Sequence, residues 1–175
     1  IQPVGEYVAL NPGTTRTSTP QITGVESVYM DVVLDAANIG SATTRETVDF
    51  SASSGISNLY LDTSVGATTS VLILNEVDAA AIHLTDSVTN GIAGLTVVGA
   101  GQASLTIKGH ANAGATAITV TETDAVTLTS YVDNATAAVT DSVFGVVTVD
   151  EAEGLTVTAA GVANTVGTVA FTTGA

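Results

Sequence analysis

The chain has 175 residues, no cysteine, and seventeen acidic residues against three basic ones, for a formal net charge of -14 and a pI near 4.1. That balance excludes a nucleic-acid binder, whose phosphate contacts need the opposite sign, and the lack of Cys with only two His excludes disulfides, thiolate chemistry and the common zinc sites. The length suits one domain with a core of its own, and no apolar run approaches a membrane-spanning helix.

In chain order, residues 1–24 come first and hold all three prolines, Pro3, Pro12 and Pro20. Proline cannot donate to a strand ladder, so this segment reads as an N-terminal arm, cap or edge strand, with one short strand candidate at Tyr7 to Leu10. Residues 25–175 form the repetitive body. It opens on ITGVESVYMDVVLD, Ile22 to Asp35, where Val28 and Met30 alternate inward around an outward Tyr29. DAANIGSATTRE, residues 35–46, reads as a loop insertion on one face.

From Thr47 onward, apolar pairs separated by one residue recur, and two series align. One carries Val48, Val71, Leu95, Ile118 and Val139. The other carries Leu59, Ile82, Leu105, Val126, Val147 and Val169. Each pair is a period-two signal for a strand with one buried face. The two series place Val48/Phe50, Val71/Ile73, Leu95/Val97 and Ile118/Val120 inward on one wall. On the other they place Leu59/Leu61, Ile82/Leu84, Leu105/Ile107, Val126/Leu128, Val147/Val149 and Val169/Phe171. Thr96, Thr119 and Thr140, and on the second wall Thr106, Thr127 and Thr148, then become outward ladders, with Tyr60 and His83 earlier in the second one. His83 and His110 read as side chains at tolerant positions.

Two strands per unit of roughly 21–24 residues, with no run long enough for a helical crossover, predict an all-β parallel β-solenoid. A β-sandwich is the rival, since short strands at regular spacing also describe one. A sandwich gives no reason for a near-constant two-strand repeat with Thr at one slot. After Thr129 the pattern loosens, Leu155-Thr-Val157 reads as an extra strand, and Val169/Phe171 closes the chain with no polar cap.

The chemistry on offer is carboxylate chemistry. Calcium takes six to eight oxygen ligands, and acidic turns supply them. The candidate ligands are Asp150, Glu151 and Glu153; Asn75, Glu76 and Asp78; and Glu122 with Asp124. None of these reproduces the calcium-binding β-roll nonapeptide or an EF-hand loop. A polysaccharide lyase would need a base beside such carboxylates, yet Arg16, Arg45 and Lys108 are far apart in sequence and no nucleophile elbow or phosphate loop is present, so no enzymatic activity is expected. Ice binding would need two parallel Thr ranks over many coils; the TVT and TLT runs offer fragments only, and Lys108 and Asp150 break the second rank.

The TGVES opening, the VDFSASSGISNLYLDTS segment and the recurring LTV, LTI and VTL triplets resemble the repetitive β-solenoid regions of bacterial surface-layer and β-strand-repeat exported proteins. The resemblance covers about Ile22 to Ala175. It implies secretion without disulfides to the extracellular cell surface, calcium-assisted assembly with copies of itself, and a structural role in a surface layer or filament. The alternative expectation is an adhesin stalk or passenger presenting residues 35–46 to a glycan or host surface.

Overall fold

The computed structural model describes residues 15–31, 45–62, 71–85, 93–110, 117–132, 142–144, 146–161, 165–166 and 169–173. They contain no helix. The strands are β1 (Thr15–Ser18), β2 (Ser27–Asp31), β3 (Arg45–Asp49), β4 (Asn58–Asp62), β5 (Val71–Val77), β6 (Ala81–Thr85), β7 (Gly94–Gly99) and β8 (Leu105–His110). They continue with β9 (Ala117–Thr121), β10 (Ala125–Val132), β11 (Ser142–Phe144), β12 (Val147–Ala152), β13 (Gly154–Gly161), β14 (Thr165–Val166) and β15 (Val169–Thr173).

Successive strands alternate between two sheets. The first runs β1-β3-β5-β7-β9-β12-β15 and the second β2-β4-β6-β8-β10-β13, with β11 and β14 as a separate pair. Every pairing is parallel. This is the parallel solenoid, one strand per sheet per coil. The sandwich is set aside by the same fact, because its sheets are antiparallel.

The core between the sheets is built from columns of like side chains. In the first sheet Leu72, Leu95, Ile118 and Val147 stack in one column and Val48, Leu74, Val97, Val120 and Val149 in the next. In the second, Val28, Leu59, Ile82, Ile107 and Leu128 form one column, and Leu105, Val126 and Leu155 another. Except for Leu155, which packs against the core partly buried, these side chains are buried. At about 1.5–3 kcal/mol per fully buried aliphatic side chain, the columns are the main source of stability.

The details of register differ from the sequence alignment in three places. In β5 the inward pair is Leu72/Leu74, not Val71/Ile73, which are half-buried on the outer side. The run Val-Leu-Ile-Leu is apolar throughout, so alternation cannot choose its face, whereas pairing to both neighbours does. Between β6 and β8 the register advances by two, so Ile82 meets Ile107 and Leu84 meets Gly109. Leu105 thereby opens a new inward column.

The third difference lies after Thr129. Val147/Val149 and β15 join the first sheet, and Leu155-Thr-Val157 is the regular second-sheet strand of that coil rather than an extra one. Thr148 consequently continues the Thr96–Thr119 ladder. A constant step fails here because the segment before β12 resets the count. Val139 and Thr140 lie outside the described residues.

Within the expected arm, Thr15–Ser18 pairs with β3 as an edge strand, and Thr23 bridges to Ser54. The Tyr7 to Leu10 candidate lies outside the described residues. So does most of the 35–46 insertion, but Arg45 and Glu46 are already in β3. No described helix is long and apolar enough to cross a membrane.

Candidate functional site

All eight candidate cation ligands fall at one corner of the solenoid, where the chain passes from a first-sheet strand to the second sheet. Asn75, Glu76 and Asp78 turn the coil from β5 to β6, Glu122 and Asp124 that from β9 to β10, and Asp150, Glu151 and Glu153 that from β12 to β13. Asp49 occupies the same corner between β3 and β4. Between the two acidic groups, the β7 to β8 corner reads Gly99-Ala-Gly101-Gln102 and carries no carboxylate.

Backbone hydrogen bonds stitch these corners together. Phe50 N donates to Asn75 O at 2.9 Å, Ala100 N to Val77 O at 3.1 Å, Gly101 N to Glu122 O at 3.2 Å and Asp124 N to Gln102 O at 3.2 Å. Asp124 O accepts from both Glu153 N, at 2.6 Å, and Gly154 N, at 3.2 Å. The second acidic group is thus held on two adjacent coils, about 4.8 Å apart.

Corner geometry also explains why acids alternate with small residues there. Glu76 and Glu122 make the turn with φ of 54° and 57°, the left-handed region. That aims their side chains outward while Val77 and Thr123 tuck under. In the acid-free coil, Gly99 stacks on Val77, and a Cβ there would collide with Thr123 Oγ1, Gln102 Oε1 and Glu122 O. Gln102 Oε1 accepts from Ala100 N at 2.9 Å, and its Nε2 is buried without a hydrogen-bond partner.

Most of the carboxylates whose side chains are described face water. Glu76, Asp78, Glu122, Asp124 and Glu153 are exposed, and Asn75 and Asp150 are intermediate. Among the described residues no three His, Asp or Glu side chains converge as a metal-holding group. The corner is therefore a track of separated charges. Asp49 is tied down locally: its Oδ1 accepts from Ser51 N at 3.0 Å, and this bond, with help from the Ser51 and Asn75 side chains, holds its carboxyl below the usual value.

Three further features bear on function, and only the first was not drawn from the sequence at all. The first is Glu46, a carboxylate only 4% exposed in an inward column of β3, opposite Arg16 in register and accepting from Ser18 Oγ at 3.5 Å. Its parity with Val48 in Arg-Glu-Thr-Val was the available signal.

The second is an aromatic stack on the outer face of the second sheet. Tyr29 and Tyr60 lie 4.5 Å apart at 9°, Tyr60 and His83 4.3 Å apart at 13°, and Lys108 is the next rung. The sequence places Tyr60 and His83 in one outward ladder; the strand pairing adds Tyr29 to it and brings the rings face to face.

The third is the state of the sheet ends. Among the described residues no strand pairs with the outer edges of β1, β2, β13 or β15. Val157 continues the inward Val28 to Leu128 column, yet it is 38% exposed because nothing described covers it.

No protein-family model matches the chain, and neither a curated protein sequence nor a solved structure matches it.

Proposed function

We propose that this chain is a non-enzymatic, extracellular structural subunit that associates with copies of itself into a surface layer or filament, with calcium bridging the acidic corners of neighbouring copies. The observation that carries the reading is the pair of wholly parallel sheets whose terminal strands, β1 and β2 at one end and β13 and β15 at the other, pair with no further strand on their outer edges among the described residues. An open parallel edge is a template for another strand, and a chain that adds one satisfies its backbone groups and covers its last core column together. Spread along a corner without converging, the carboxylates suit cations shared between copies better than cations enclosed in one.

The test is electron microscopy of the purified chain at low ionic strength, with calcium added and then removed by a chelator. Sheets or fibres that form with calcium and dissolve without it are the expected result. Polymers indifferent to chelation would keep the structural role and remove calcium from it. Monodisperse particles throughout would overturn self-assembly and favour the stalk that presents residues 35–46 to a glycan.

A further inference from the structure

The outer face of the second sheet holds a straight groove that the assembly reading does not use. Its volume is about 400 Å³, within the range of small-ligand sites, and it runs along the solenoid axis across β2, β4 and β6. One bank is the ring column Tyr29, Tyr60 and His83, and the other is formed by Asp62 and Thr85. In-register pairing makes the groove straight: Tyr29 sits on Tyr60 and Tyr60 on His83, while Asp62 sits on Thr85.

The ring geometry restricts what can bind. Both faces of Tyr60 are covered by its neighbours in the stack, so it offers the groove a ring edge. Ring edges are the positive part of the aromatic quadrupole and pack against the electron-rich part of another flat π-system, so any positive charge on that system must lie off the ring edges, toward the carboxylate bank. A saccharide, which stacks on open ring faces, finds one only at Tyr29, the outermost rung, which is 58% exposed.

Charge restricts it further. Asp62 is the exposed carboxylate of the groove, the chain as a whole carries -14, and Lys108 stands beyond His83 at the far end of the column. A cation is drawn in and an anion repelled, with the positive end of the ligand directed away from Lys108.

We propose that this groove binds an elongated planar aromatic cation, lying along the solenoid axis with its flat face against the Tyr29–Tyr60–His83 edges and its charge beside Asp62. No other part of the described surface combines stacked rings with a carboxylate bank.

The probe is thioflavin T, a planar benzothiazolium cation, titrated by fluorescence into the monomer fraction isolated by size exclusion, with an anionic planar dye of similar length as control. The expected result is saturable binding at one site, no binding of the anionic dye, and affinity weakened at least about tenfold by Asp62→Lys, a change of 1.4 kcal/mol or more. Asp62 is exposed, so that variant leaves the core intact. Tyr60→Ser should abolish binding, with circular dichroism checking the fold. Binding that survives both substitutions, or equal uptake of the anionic dye, would overturn the proposal.

Discussion

Which of two neighbouring aliphatics faces the core decides the energetics of β5. Leu74 is fully buried between Val48 and Val97, whereas Ile73 is half-buried beside Thr47 and Thr96. Leu74→Ala should therefore cost about 2–5 kcal/mol and Ile73→Thr less than about 1 kcal/mol in urea unfolding. The reverse order would restore the Val71/Ile73 register. Glu122 is a second case at this scale. Its φ of 57° is strained for any residue with a Cβ and worst for a β-branched one, so Glu122→Gly should be neutral to stabilising by about 1 kcal/mol and Glu122→Val destabilising. Thermal melting of the two variants separates them. If Glu122→Gly loses stability instead, the carboxylate contributes something that the backbone geometry does not explain.

At the level of the strand pair, legibility in the sequence followed the strength of alternation. Leu95-Thr-Val97 and Ile118-Thr-Val120 place a hydroxyl between two aliphatics, and their register is the one observed. Val71 to Leu74 lacks a polar marker, and Leu84 against Gly109 shows the step absorbing two residues where glycine leaves room for it. The acidic corners were visible as clusters but not as one edge of the molecule, since that requires knowing which strands share a sheet. Glu46 was hidden by being charged at an inward slot. Because each coil touches mainly its neighbours, coils should behave as additive units. Deleting residues 71–93 removes β5 and β6 as one coil and brings β3 and β4 against β7 and β8. The variant should remain a β protein by circular dichroism, with a smaller denaturant slope in proportion to the surface removed. Collapse into an unfolded chain would mean that the stacked rings of β4 and β6, or the two-residue advance into β8, cannot be skipped.

For the molecule as a whole, shape and charge act against each other. Parallel edges that no described strand covers, at both ends, favour addition of further strands, while seventeen acidic residues against three basic ones keep copies apart. Association then depends on how the repulsion is relieved, and the acidic corner offers two routes that solution conditions distinguish. General screening acts through ionic strength and is indifferent to the cation. Bridging needs ionised carboxylates and a divalent ion. If bridging governs, calcium should drive light scattering near neutral pH far more strongly than sodium chloride at equal ionic strength. That advantage should fade as the pH falls toward 4.1, where protonated carboxylates no longer ligate and the vanishing net charge permits association unaided. Charge reversal at Glu122, Asp124 and Glu153, which are exposed and sit on two adjacent coils, should remove the calcium response while leaving association at low pH. Equal responses to calcium and sodium would assign the corner to solubility alone, with the open sheet ends left as the sole determinants of assembly.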